Sequence, residues 1–168
     1  MSVETWWGLA GVFFGGMMPW LEAVVVIPAG VAAGLPAVPV IIAGAAGNLA
    51  TVGVAAFGGE RLKSAWLAWR QRRRTESGKA LDRDVEARRA EKSRKRQERI
   101  ERIMDRGGLP LLALVGPLGL GTQFAALVAV AAGARATPAF LWIGGITIVY
   151  CVFAAMAALT GLELLGFR

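Results

Sequence analysis

The sequence predicts an all-α integral membrane protein. Two inverted repeats, each a re-entrant or broken helical hairpin plus one transmembrane helix, flank a charged cytoplasmic helical segment. Three observations lead there. First, 55% of the 168 residues are hydrophobic and only 18% are charged, against about a quarter charged in a soluble domain. Second, the charge is confined. Residues 1–59 hold no Lys or Arg and only Glu4 and Glu22, residues 107–168 hold only Arg135, Glu163 and Arg168, and every other Lys, Arg, Asp or Glu falls in 60–106. Third, the apolar blocks on either side share one order, a long interrupted stretch followed by an unbroken one.

The first repeat, 1–59, divides into a hairpin over 5–34 and a span over 36–59. A straight helix needs roughly 20 residues to cross the hydrocarbon core, which suits 36–59 and is exceeded by 5–34. Gly15, Gly16, Pro19, Glu22 and Pro28 interrupt the longer stretch. Proline removes a backbone donor, and glycine lowers the cost of unusual backbone angles. The expected helix-break positions are therefore Pro19, Pro28 and Gly30 here, and Pro117, Gly119 and Gly121 in the second repeat. That repeat, 107–168, divides into a hairpin over 107–134 and a span over 137–166. A kinked full span is the plainer alternative for either hairpin. Non-helical backbone at membrane depth requires cover from protein or a water-filled cavity, so a homodimer is expected. Ala32-Ala33-Gly34 followed by Pro39 matches Ala131-Ala132-Gly133 followed by Pro138 at a constant offset of 99, which favours an internal repeat.

The intervening segment, 60–106, carries the excess of Lys and Arg typical of a cytoplasmic loop. A nucleic-acid-binding reading of the net charge of +7 is set aside, because the basic residues lie between two apolar blocks. Ser77-Gly78 is a break and Gly107-Gly108 a helix stop. Between them Asp84 and Arg88, Glu91 and Lys95, and Glu98 and Arg102 are spaced for helical pairs. Leu81 and Val85 at one end, and Ile100, Ile103 and Met104 at the other, offer apolar contacts. A solvated helix or a partly disordered linker is the default there.

If each half crosses once, both termini face outward and Arg135 lies inside, as the charge rule prefers. If all four stretches cross, both termini are inside and Arg135 faces out. Trp6, Trp7, Trp66 and Trp69 suit membrane interfaces, while Trp20 and Trp142 are expected in the core. The first stretch lacks the basic n-region of a signal peptide and is read as mature sequence. Cys151 is the one cysteine and there is no histidine, so no disulfide, cofactor or metal site is expected.

Glu22 is the expected transport and proton site. An acid near the bilayer centre costs roughly 2.5–3.5 kcal/mol on insertion scales and usually faces an interior or a cavity. No Lys or Arg in 1–59 pairs with it, so its carboxyl is free to take up and release a proton. A protonated acid bonded to backbone freed by Pro19 and Pro28 is the structural alternative. Thr122 and Gln123, at the matching break, are the expected partners, offering a hydroxyl and an amide. Asn48, Thr51 and Thr147 are assigned to interhelical packing.

Pro19-Trp20-Leu21-Glu22, then Ile27-Pro28-Ala29-Gly30, then Gly34 resemble the pattern of the small multidrug export protein family, and more distantly the DedA-type (VTT-type) membrane proteins. The resemblance covers most of both apolar halves and none of the charged middle. It implies two re-entrant hairpins with following spans, arranged as inverted repeats. Family members often place an arginine just after the glutamate, whereas Ala23 and Val24 stand here. The third stretch also lacks the arginine of DedA-like second hairpins, so a cationic or neutral lipophilic substrate suits the lone acid better than a lipid phosphate.

The function expected is proton-coupled export of a lipophilic or cationic small molecule across the bacterial cytoplasmic (inner) membrane. The alternatives are a DedA-like lipid translocase or scramblase and a non-transporting membrane scaffold. Membrane lipids and the substrate are the expected partners. One buried acid with no base or nucleophile beside it makes a poor catalytic constellation, so an enzyme is not expected.

Overall fold

The computed structural model describes residues 2–76, 88, 91–95, 98–99, 102–164 and 166. They form six principal helices and no strand: α1 (Val3–Met17), α2 (Glu22–Ala32), α3 (Ala37–Glu76), α4 (Leu109–Gly119), α5 (Thr122–Ala132) and α6 (Ala136–Leu164). A short π-helical turn, Met104–Gly108, leads into α4, with Gly107 at φ +144°. The order short, short, long thus occurs twice.

α1 is capped by Ser2, whose hydroxyl accepts from the Thr5 N–H, with Glu4 in the first turn where the positive end of the helix dipole favours an acid. The chain breaks at 18–21 and returns as α2, antiparallel to α1, with Gly15 lying against Val26. α4 and α5 make the same kind of hairpin across a break at 120–121, with Gly116 against Ala125. Small residues at these crossings let the paired helices approach closely.

Both hairpins end in the same cap. Gly34 and Gly133 adopt positive φ, +83° and +115°. Gly34 N–H donates to Val31 C=O (3.0 Å) and Leu35 N–H to Gly30 C=O (3.1 Å), while Gly133 N–H donates to Val130 C=O (3.1 Å) and Ala134 N–H to Ala129 C=O (2.9 Å). These are the paired bonds of a Schellman motif. Each of them recurs at the offset of 99 seen in the sequence.

α3 and α6 run antiparallel. Gly144 packs on Leu49, Gly53 lies against Phe140, and Phe57 meets Phe140 at a ring separation of 5.9 Å. The α1–α2 hairpin has its base at the start of α3. The α4–α5 hairpin has its base at the far end, where Lys63 Nζ donates to Val130 C=O at 3.0 Å. The two hairpins therefore enter from opposite ends of the α3–α6 pair. At 11 residues each, α2 and α5 extend only about 16 Å, so their tips meet near the middle. Arg135 follows the base of the second hairpin and lies at the same end of the molecule as Lys63.

Two apolar clusters hold this arrangement. One joins Val52, Ala56, Leu109, Ala125, Ala129 and Ile143. The other joins Leu9, Val12, Ile27, Val31, Val40 and Cys151. Outside them the usual distribution is reversed. Val38, Ile42, Val54, Leu141 and Phe153 are exposed, while Glu22, Asn48, Thr122, Gln123 and Thr147 are buried. Two helices, Ala37–Arg73 and Ala136–Leu164, are long and apolar enough to cross a membrane.

Several expectations are corrected. Pro28 and Gly30 lie inside α2, and Pro117 lies inside α4, so none of them is a break; Gly119 is the last residue of α4. The breaks fall instead at 18–21, which contains Pro19, and at 120–121, which contains Gly121. Gly30 serves close packing, because a side chain there would meet Val12 and Val40 at 3.0 and 3.1 Å. Trp20 and Trp142 are not core residues: they are 89% and 47% exposed. Trp20 lies on the turn between α1 and α2, and no neighbouring helix covers it.

The 59/60 boundary is not a backbone break either. α3 runs unbroken through Gly59 for 40 residues, about 60 Å, so its basic C-terminal part projects well beyond its apolar part. There Arg70 stacks on Trp66 and Arg73 on Trp69. In the charged segment the Glu91–Lys95 pair forms at 2.7 Å. Glu98 instead pairs backwards with Arg94 at 3.4 Å, and Arg102 reaches the Glu98 carbonyl. Ile103 is exposed. Ser77, Gly78, Leu81, Asp84, Val85 and Ile100, together with the side chain of Met104, lie outside the described residues.

Candidate functional site

The site forms where the hairpin tips meet the middle of the apolar part of α3. Glu22 is the first residue of α2 and is 7% exposed. Its backbone N–H donates to Met18 C=O, and its φ is +42°, the one positive value among the described non-glycine residues. Such backbone conformations cost on the order of 1–3 kcal/mol and persist where the surroundings over-determine them, frequently at functional sites. The residue 99 positions later is Gly121, also at positive φ (+89°). A residue at positive φ thus stands at the start of α2 and just before α5, an acid in one copy and glycine in the other.

The two turns touch. A Cβ added to Gly121 would lie 2.8 Å from Glu22 Oε1 and 3.4 Å from Pro19 C=O. The absence of a side chain at 121 is what lets the carboxylate reach the N-terminus of α5. There Thr122 N–H donates to Glu22 Oε1 at 2.5 Å, answering one of the donors that a helix start leaves unbonded and placing an acid at the positive end of the dipole.

The Thr122 hydroxyl is the hub of a wider cluster. It lies 3.2 Å from Glu22 Oε1, 3.0 Å from Asn48 Oδ1 and 3.1 Å from Gln123 Oε1. Gln123 Nε2 in turn donates to Thr51 Oγ1 at 3.1 Å, whose own proton goes to Asn48 C=O at 2.9 Å. Asn48 is fully buried, and its Nδ2 has no hydrogen-bond partner. An unpaired buried polar group of this kind costs about 1–3 kcal/mol. Among the described residues, no Lys or Arg forms an ion pair with Glu22.

The structure thus brings Glu22, Thr122 and Gln123 into one cluster and adds two residues that the sequence alone assigned to packing, Asn48 and Thr51. Their position was the available signal. Asn48 stands about 16 Å along α3 from Ala37, the same depth that an 11-residue α2 gives Glu22. Thr147 stays outside the cluster and donates to the Ile143 carbonyl of its own helix at 2.7 Å. Pro19 contributes a backbone carbonyl near the site, whereas Pro28, Gly30, Pro117 and Gly119 make none of its hydrogen bonds. Chemically, the cluster offers one carboxylate, two hydroxyls and two carboxamides in a water-poor interior. It can exchange a proton or hold a small ligand rich in donors. The chain matches no protein-family model, no curated protein and no solved structure.

Proposed function

We propose that this chain is a small membrane transporter of two inverted repeats that exports a lipophilic or cationic molecule in exchange for protons across a bacterial cytoplasmic membrane. The observation that carries this reading is the burial of Glu22, without an ion-pair partner among the described residues, where two short hairpins meet. An acid at the midplane is expensive and usually functional, and this one also holds a positive φ at a position where the other half has a glycine. Discontinuous helices whose N-termini point at the site are the transporter arrangement for midplane binding. The apolar outer faces of α3 and α6 suit lipid contact, and the basic end of α3 suits the cytoplasmic side. The protein works as a homodimer, since six helices of this length leave the thin hairpins exposed to lipid.

The direct test uses proteoliposomes with an imposed pH gradient and tetraphenylphosphonium as substrate. Wild-type protein accumulates the cation, and Glu22→Gln reduces uptake to the level of empty liposomes while retaining its elution profile. Full uptake by the variant would remove Glu22 from the mechanism. Topology is checked separately, with a cysteine appended after Arg168 in a Cys151→Ala background. It is labelled by a membrane-impermeant thiol reagent on intact cells. Protection until the membrane is broken would mean that the hairpins are full spans.

A further inference from the structure

We infer that Lys92, Lys95, Arg99, Arg102 and Arg106 form a docking surface for anionic lipid headgroups, which lays the charged helix along the membrane. This rests on the reading that the chain spans a membrane and is independent of what Glu22 does.

The first ground is spacing. The five basic residues stand 3, 4, 3 and 4 positions apart, and the described residues from 91 to 103 are helical, so they share one face of the helix. All five are exposed. Lys95, Arg99, Arg102 and Arg106 line one open groove together with Glu98 and Ile103, and Ile103 is 57% exposed. The acids keep off the basic line. Glu91 and Glu98 each stand one position before a stripe residue, about 100° round the helix. Glu98 turns to Arg94 at 3.4 Å, and Glu91 takes Lys95 at 2.7 Å. Exposed pairs of this kind are weak and screened by salt, so they do not neutralise the face.

The second ground is place. Leu109 follows Arg106 by three residues and is buried in the cluster of Val52, Ala56 and Val130, against the last apolar turns of α3. Beyond it the outer face of α4 is apolar, with Leu111, Leu114 and Val115 exposed. Arg106 therefore stands where a lipid-facing surface gives way to a charged one, which is the level of headgroup phosphates. The basic end of α3, with Trp66 and Trp69 under Arg70 and Arg73, leaves the molecule at the same end. Gly107, at φ +144°, breaks the axis between the basic helix and α4.

The third ground is reach. Lys92 lies about 21 Å along the helix from Arg106. On an upright helix its charge would stand well beyond the Debye length of about 8 Å from the headgroups. On a helix lying flat, all five charges meet them, and alignment on one face has a use only then. A group of about four to eight Lys and Arg beside a membrane span is the pattern that attracts anionic lipid. Three of the five are Arg, whose guanidinium grips phosphate oxygens in pairs. A nucleic acid would suit the charge as well, but the stripe is tethered where headgroups are already at hand.

The test places the full chain in nanodiscs of phosphatidylcholine, alone or mixed equally with phosphatidylglycerol. A nitroxide is attached at Ile103→Cys, beside the stripe, or at Ser93→Cys, on the far side of the helix, in a Cys151→Ala background. Its collisions with a neutral, water-soluble nickel chelate are measured. With phosphatidylglycerol, access at 103 falls about fivefold or more, access at 93 changes little, and ~0.5 M NaCl restores the first. Lys92→Gln with Arg99→Gln and Arg102→Gln removes the difference between the lipids. A second variant combines Lys92→Ser with Ser93→Lys and Arg99→Glu with Glu98→Arg. It keeps the net charge but takes two cations off the stripe, and it loses most of the difference too.

Equal access in the two lipids overturns the docking surface. A full lipid effect in the charge-conserving variant overturns its assignment to this face. Shielding of 103 by an added DNA duplex, with no effect of lipid, assigns the stripe to nucleic acid instead. Shielding in both lipids that salt does not reverse places the segment inside bilayer or protein, and the membrane topology falls with the proposal. Uptake that depends on Glu22 is measured apart from all of these.

Discussion

Gly121→Ala is expected to abolish the proposed transport while the protein still folds and assembles. Two effects combine at this position. Its φ of +89° and ψ of 151° fall in a region that is essentially glycine's alone, so any side chain brings roughly 1–3 kcal/mol of strain. The new Cβ also lies 2.8 Å from Glu22 Oε1, and the carboxylate must leave the Thr122 N–H to make room. Uptake should therefore fall to background, with a loss of Tm of several degrees. Gly119→Ala is the control. It sits at the end of α4 with nothing within 4 Å of its added Cβ, and it should be neutral or stabilising by about 0.5–1 kcal/mol. Wild-type uptake by the Gly121→Ala protein would show that the carboxylate does not need this approach.

The second large effect is structural. Gly47→Ala should be among the most destabilising single-methyl additions in the chain, on the order of 3 kcal/mol, the upper end for overpacking. Its Cβ would run into the backbone oxygen of Phe13, with the Phe13 carbonyl carbon only 2.9 Å away. A side chain could swing aside, but a helix backbone cannot, so α1 must lift off α3. Gly16 against the Gly44 carbonyl makes the neighbouring contact on the same face, at 2.6 Å, and tightens the constraint. Moving α1 also moves the turn that holds Pro19 and Glu22, so transport should fall with stability. Gly58→Ala, where nothing lies within 4 Å, should match wild type in the same heat-challenge and size-exclusion assay. Equal survival of the two variants would mean that α1 and α3 do not cross in backbone contact.

These two glycines also mark where reading the chain residue by residue gives out. Charge confinement, helix content and the position of Glu22 come from composition and spacing, which are local properties. So does the offset of 99, because identical Schellman caps need the same small residues at the same places. The breaks were placed only in part. Pro28 and Pro117 look like breaks in a linear string, yet proline removes one bond and not a helix when neighbours supply the packing. Trp20 looked like core because a large apolar ring usually is, but solvent for the outer surface of this chain is expected to be lipid, and exposure there costs an aromatic ring nothing.

What the order of residues dictates here is where polar groups are scarce, how long each apolar run is, and which segment carries the charge, because the hydrophobic effect and charge desolvation act on composition directly. Which scarce polar groups meet is a different matter. Glu22 and Thr122 are 100 residues apart, and Thr122 bonds Asn48 across 74. Their meeting depends on two short hairpins entering from opposite ends and stopping halfway, and on Gly121 leaving space for one carboxylate. Asn48 and Thr51 became part of the site for that reason alone: a buried amide on a long helix is packing until the tips of two hairpins arrive beside it.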